Sequence, residues 1–453
     1  MGQHIERVSA KEAFGRAKTN AQRRYPSPKL GADRLYPLAS PTGRPSFQIA
    51  ADETFFAIGS CFARNIETAL INAGKQVSSH ELNLGVIGDS RSFTPNFFNK
   101  YSVHSIYNDL KWALERDSFP GADVLYHLED KDWYADLQLG IAKLEFPLED
   151  ILAFRTRYLD VLARVATADV VVITLGYAET WFDTKLGIYL NTSPPLALVN
   201  AEPERFEFRV LSYEDVLSCL HDIRELLEKH MSKPLRMLLT VSPVPLLSTF
   251  RDMDVLIANT YSKSVQRAAI DAFVRDTTNI DYFPSYEFVM LSDPKSAWQR
   301  NDFRHVSPDL VAYIMDNVMS QYIAGHAVAV HDENAQENIA TSLRLLDQSH
   351  EYEALIAAAQ DAYVFVHSRA DLVILLAQAH AKTGDSATAA TLLAAADASS
   401  SSKGGPLEAL IKLSLVMGEV EQARTYLQQH EARYPKRAAF RKRTMREHST
   451  FRE

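Results

Sequence analysis

Between Thr54 and Ala327, short apolar runs alternate with longer amphipathic stretches, and this alternation restricts the fold more than any other feature of the chain. The runs TFFAI (54–58), KQVSSHEL (75–82), ADVVVITL (168–175), PLRMLLTV (234–241) and IDYFPSYEFVM (280–290) read as strands. Helical periodicity falls near 63–73, 103–115, 148–167, 213–230, 252–275 and 308–323. Strands that alternate with helices predict an α/β fold with a parallel sheet covered on both faces. Ligands of such sheets bind beyond the carboxyl ends of the strands, so the loops there are where chemistry is expected.

The flanks read differently. Residues 1–50 hold prolines and basic residues with little periodicity, which predicts a mostly irregular arm along the domain at 51–327. From 328 to 453 the chain is rich in Ala and Leu and offers no strand. AKTGDSATAATLL and LVMGEVEQARTYL place Gly384 and Gly418 34 residues apart, each followed five residues later by an alanine, Ala389 or Ala423. Another step of 34 backwards lands on His350 in DQSHEYEALIAAA. A helix-turn-helix period of that length resembles tetratricopeptide repeats, and ASSSSKGGP (398–406) reads as an interrupting loop. An ordinary helical bundle is the alternative.

Charge and cysteine content narrow the function. A formal net charge of −9 argues against nucleic-acid or anionic-membrane partners. Two cysteines, Cys61 and Cys219, form no disulfide framework and point to a reducing, cytoplasmic setting. The polar N-terminus lacks the apolar core of a signal peptide, and no apolar run reaches the roughly 20 residues of a membrane span. No metal-ligand spacing and no phosphate-binding glycine loop is present, so neither a metal nor a dissociable cofactor is expected.

Two segments carry chemistry. In FFAIGSCFARN (55–65) a buried run ends at Gly59 and passes at once into a helix, which sets Ser60 and Cys61 at the helix N-terminus. Unpaired N–H groups there favour negative charge and suit a nucleophile, although close packing alone also explains small residues at such a turn. RNDFRHVSP (300–308) holds Asp302 and His305 after the last strand. A carboxylate three residues from a histidine can fix its tautomer and leave the other ring nitrogen to accept a proton. Ser307 and Pro308 suit the cap and first turn of the next helix. Asn259, Lys263 and Arg267 share i, i+4 spacing and read as a solvated polar stripe.

AIGSCFARNIETAL, then TLGYAETW (174–181), then DFRHVSP together resemble the GSCFA family, over roughly residues 45–325. The resemblance implies kinship with the SGNH (GDSL-like) hydrolases. It also implies a flavodoxin-like three-layer α/β/α fold and esterase or O-acyltransferase chemistry. The substrate class implied is an acyl ester or thioester, with a carbohydrate or surface polysaccharide among the acceptors. Aligning Gly-Asp-Ser-x-x-Arg-Asn of related esterases with Gly59 to Asn65 puts Cys61 at the nucleophile position and Ser60 in the Asp slot. Either side chain can be the attacking group, and Cys61 is favoured. His305 would be the base and Asp302 its orienting acid. The second oxyanion donor would come from Gly85 or Gly88 in LNLGVIGDS (82–90). The third block keeps Gly176 but has Ala178 where the superfamily has an Asn; Glu179 would orient His305, bind substrate or stand solvated. That loss leaves an alternative open: a catalytically weakened scaffold whose repeats bind a protein partner.

Overall fold

The computed structural model describes residues 5–27, 34–36, 38–80, 98–128, 133–139, 143–144, 146–299, 302–323, 333–399, 405–416 and 419–447. It divides into two compact units, Met1–His326 and Ala327–Glu453.

The first unit is built on a parallel sheet of five strands: β1 (Thr54–Gly59), β2 (Gln76–Val77), β3 (Val170–Leu175), β4 (Met237–Val241) and β5 (Ile280–Tyr282). Their spatial order is 5-4-3-1-2, the order of a flavodoxin-like doubly wound sheet. Side-chain alternation divides each strand between two cores. Phe56, Ile58, Val171, Ile173 and Leu239 face helices α2 (Val103–Leu114), α3 (Leu148–Leu162), α4 (Tyr213–His230) and α5 (Val255–Arg275). Phe55, Ala57, Val170, Val172 and Leu238 face α1 (Cys61–Asn72) and α6 (Pro308–Tyr322). Three layers result, and β3 is buried along its whole length because both of its faces are covered. No described helix is long and apolar enough to cross a membrane.

Several expectations give way to the structure. The run at 280–290 is not one strand: β5 ends at Tyr282, and Ser285–Leu291 is helical. Pro284 lacks the N–H that a ladder needs and stands at the helix start instead. Among the described residues of the run at 75–82, only Gln76 and Val77 pair with β1. The arm is not wholly irregular, because Ala10–Thr19 is helical with Ser9 accepting from the Glu12 amide at 3.2 Å. Farther along, Ala39, Gly43 and Ser46 donate their amides to Ser292, Gln321 and Asp281, which straps the arm down. Two antiparallel three-stranded sheets were not anticipated: 125–128 with 133–136 and 143–144, and 179–183 with 188–190 and 206–210.

The second unit is helical throughout its described elements. The amides of Glu351, Asp385 and Glu419 donate to the carbonyls five residues back, Leu346, His380 and Ser414, at 2.9, 2.8 and 2.8 Å. These closures recur every 34 residues. His350 and Gly384 occupy the left-handed region in the first two, as a Schellman-type helix end requires. Ala389 and Ala423 are fully buried, so the period seen in sequence is also a packing period. Gly418 and most of 398–406 lie outside the described residues, but Gly405 and Pro406 belong to the helix Gly405–Val416 rather than to a loop.

Candidate active site

At the carboxyl end of the sheet, β1 and β3 lie side by side while the chain winds away from them in opposite directions. A crevice at such a switch point is where doubly wound sheets hold ligands. Gly59 ends β1 with φ +138°, and a Cβ there would collide with the carbonyl of Thr174. Ser60 then donates its amide to that carbonyl (3.2 Å) and to Thr174 Oγ1 (2.9 Å).

Ser60 and Cys61 have different surroundings. Ser60 is 3% exposed, its hydroxyl bonded to Thr174 Oγ1 at 3.0 Å while accepting from the Phe62 amide at 3.3 Å as N-cap of α1. Cys61 is a partly exposed free thiol at the first position of α1. Burial pushes this thiol up; the charges of Lys263 and Arg304 and the N–H groups of Cys61 and Phe62 oppose that rise. Of the two, Cys61 is the group that a substrate can reach.

The loop before α6 carries the second group. His305 Nδ1 meets Asp302 Oδ2 at 2.5 Å, and Asp302 Oδ1 accepts from the amides of Arg304 (2.7 Å) and His305 (3.1 Å). These bonds, led by that from His305, hold the Asp302 carboxyl down at about 2. With Nδ1 committed, Nε2 of the half-exposed imidazole is free to exchange a proton. Among the described residues His305 makes no hydrogen bond to Ser60 or Cys61. Arg304 lies between the two segments, its guanidinium charge acting on Tyr177, Cys61 and Tyr101.

Tyr101 and Tyr177 form the adjoining wall, their rings stacked at 5.5 Å. Both hydroxyls are pushed up, chiefly by burial. Gly176 permits this wall, because a Cβ would stand 2.6 Å from the Tyr101 carbonyl. The Lys100 amide donates to the Gly59 carbonyl at 2.7 Å, while its buried ammonium bonds Asp109 and the Gln138 carbonyl. Segment 99–101 is thereby clamped across the Cys61 turn.

The polar stripe on α5 is not a fully solvated one: Asn259 and Arg267 are half-buried and Lys263 is buried. Lys263 is 1% exposed and donates to the carbonyls of Gly176 and Val244 at 2.8 Å each, with the Tyr177 ring 5.2 Å away. Asn259 accepts from the Leu246 amide at 3.1 Å, and Arg267 pairs with Glu287 at 3.1 Å. The stripe faces the strand ends, where carbonyls replace water as partners. Burial lowers the Lys263 ammonium to about 7.

Glu179 neither meets His305 nor stands free: its carboxylate accepts from Thr249 Oγ1 (2.8 Å) and the Phe250 amide (3.4 Å). Gly85 and Gly88 lie outside the described residues. Lys263 was read as part of a solvated stripe, and Arg304, Tyr101 and Tyr177 escaped the reading of the sequence; only Arg304, inside the D-x-x-H, and Tyr177, beside Gly176, carried a positional signal.

A model of the GSCFA family matches residues 54–318, more than half of the chain and the whole span from β1 into α6. The chain belongs to the GSCFA family. No curated protein and no solved structure matches it. This GSCFA chain thus keeps both of its chemistry-bearing segments, Ser60-Cys61 and Asp302-x-x-His305, inside the matched span.

Proposed function

We propose that this protein is an acyl-transferring enzyme of SGNH type, in which Cys61 attacks an ester or thioester and His305 serves as its base. The observation that supports the reading is the division of labour at the turn: Ser60 is occupied as a buried cap while Cys61 faces outward at a helix N-terminus. A thiol held protonated by burial needs a base, and the Asp302-anchored imidazole supplies a free Nε2. Sγ forms a bond to the acyl carbon as the thiol proton passes to His305, which then returns it to the departing alcohol or thiol. A hydroxyl next attacks the thioester, giving its proton to His305, and Sγ leaves as the thiol. Water as acceptor makes an esterase; a carbohydrate hydroxyl makes an O-acyltransferase. The Cys61 N–H is the described donor for the oxyanion, since the Phe62 N–H is spent on the Ser60 cap. The 302–305 loop closes onto Cys61 when substrate binds, as catalytic hydrogen bonds often do.

One observation favours a second reading. Ala178 is fully buried where the superfamily has its Asn, and its amide is spent on Ser262 Oγ at 2.7 Å. A weakened scaffold that recruits a protein through tetratricopeptide-like repeats would tolerate that loss. Turnover of p-nitrophenyl acetate and of a short acyl thioester separates the two. Cys61→Ala and His305→Ala should each lose about two or more orders of magnitude, with Ser60→Ala retaining most of the rate. Equal, slow hydrolysis by all four proteins would leave only the scaffold.

A further inference from the structure

We propose that the ligand of this site carries a carboxylate beside its reacting carbon, bound by Arg304, with the buried Lys263 amine behind it. The inference builds on the reading of Cys61 as the reacting atom. Its basis is a missing counter-charge. Several enclosed arginines of the same unit are paired with carboxylates: Arg64 with Glu67 at 2.7 Å, Arg205 with Asp183 at 2.8 Å, Arg267 with Glu287 at 3.1 Å and Arg155 with Asp136 at 3.3 Å; Arg251, which lies 5.0 Å over the Tyr261 ring, is an exception among the described residues. Pairing is the usual condition of enclosed charge, which is costly without a partner.

The two cations nearest Cys61 break that pattern. Among the described residues no carboxylate pairs with Lys263, whose hydrogen bonds go to the carbonyls of Gly176 and Val244. The Arg304 guanidinium acts on the Tyr177 hydroxyl, and among the described residues it meets no carboxylate and its enclosed Nε has no hydrogen-bond partner. Among the described residues, the two acids named at the site are committed elsewhere. Asp302 holds His305 and two backbone amides, and Glu179 holds Thr249 and Phe250. Arg304, joined by Lys263 when that amine is protonated, therefore acts on one thiol in a chain whose net charge is −9. A guanidinium with donors to spare matches the planar, two-oxygen edge of a carboxylate. The substrate would then be an acidic acyl compound or an acyl group on an acidic carrier.

The test compares iodoacetate, which carries a carboxylate, with neutral iodoacetamide. Both alkylate thiols with loss of iodide, and peptide mass spectrometry reads Cys61 separately from Cys219. In the folded full-length protein, the iodoacetate-to-iodoacetamide rate ratio at Cys61 should exceed that in the urea-unfolded chain by about tenfold, as one weakly screened charge would produce. Arg304→Gln, a substitution on a surface loop, should return most of that factor, while Arg304→Lys should retain part of it. A folded ratio within about twofold of the unfolded one overturns the proposal. So does a raised ratio that Arg304→Gln leaves unchanged. Neither readout requires turnover: carboxylate preference without hydrolysis would leave the anion site standing and remove the acyl-transfer reading, and turnover with an ordinary ratio would do the reverse.

Discussion

Lys263→Met gives the sharpest test of the electrostatics at the site. An ordinary lysine titrates near 10.5, whereas burial brings Lys263 to about 7. Because the folded value lies below the unfolded one, the unfolded chain binds more protons between them, and wild-type stability rises with pH across that window. At 1.36 kcal/mol per pH unit, holding the ammonium in place costs about 5 kcal/mol at about pH 6 and about 1–2 kcal/mol at about pH 9.5. Methionine removes this term entirely. It also removes the donor to the Val244 carbonyl, a cost of about 1–3 kcal/mol that does not vary with pH; the Gly176 carbonyl keeps Gln266 Nε2 at 3.3 Å. The stability difference between wild type and variant should therefore shift by about 3 kcal/mol in favour of wild type from the acid to the alkaline condition. Urea titrations of the full-length chain followed by tryptophan fluorescence suit this measurement. Trp112, Trp133, Trp181 and Trp298 all lie in the first unit, so the signal reports that unit alone. Stability curves that stay parallel over this range would refute the reasoning and show that Lys263 keeps an ordinary ammonium with a counter-charge beside it.

Other substitutions test the turn, the dyad and the repeats. Ser60→Ala removes the cap bond to Phe62 and the bond to Thr174, and should lower first-unit stability by about 1–3 kcal/mol in the same titration, with Cys61 still alkylated. Unchanged stability with no adduct at Cys61 would reverse the assigned roles. Gly59→Ala combines a left-handed φ with collision against Thr174 and should cost more than about 3 kcal/mol; a urea midpoint close to wild type would count against the turn geometry. Asp302→Asn deprives His305 Nδ1 of its carboxylate and should lower thioester turnover by about two to four orders of magnitude. Since Asp302 titrates at about 2, its protonation should leave no inflection in the wild-type rate profile between about pH 5 and 8. His350→Gly relieves a left-handed non-glycine residue in the helical unit and should stabilise it by about 1 kcal/mol, read by far-ultraviolet circular dichroism in urea.

The central strands were legible because both of their faces are buried, which leaves continuous apolar runs such as VVVITL in β3. Helix ends were legible where a cap marks them. Ser212 and Asp215 close a capping box at the start of α4, and Ser307 accepts from the Leu310 amide at the start of α6. The small antiparallel sheets were not. Phe206, Phe208 and Val210 alternate with Glu207 and Arg209, a strand signal by period, but five residues fall short of a distinctive pattern. The run at 280–290 misled because apolar content continues past Pro284 while the backbone changes from strand to helix.

At the site, sequence order revealed the groups proposed to react but not the groups that set their charge. Ser60-Cys61 and Asp302-x-x-His305 are short local motifs, and each was readable from residue type and spacing. Lys263 is remote from both, and on a helix its spacing from Asn259 and Arg267 looks like an ordinary exposed stripe. What buries it is the placement of α5 across the carboxyl end of β3 and β4, where Gly176 and Val244 turn their carbonyls toward the ammonium. Gly176 lacks a Cβ so that Tyr101 can approach, and that approach sets Tyr101 against Tyr177, which in turn receives Arg304. One glycine after β3 thus links the helix that supplies the buried cation to the loop that supplies the exposed one. Gly176→Ala should consequently disturb Lys263 and Arg304 together, and should lower the iodoacetate preference of Cys61 although neither cation has been changed. A variant that folds normally and keeps the full preference would show that the two cations are held independently of the turn.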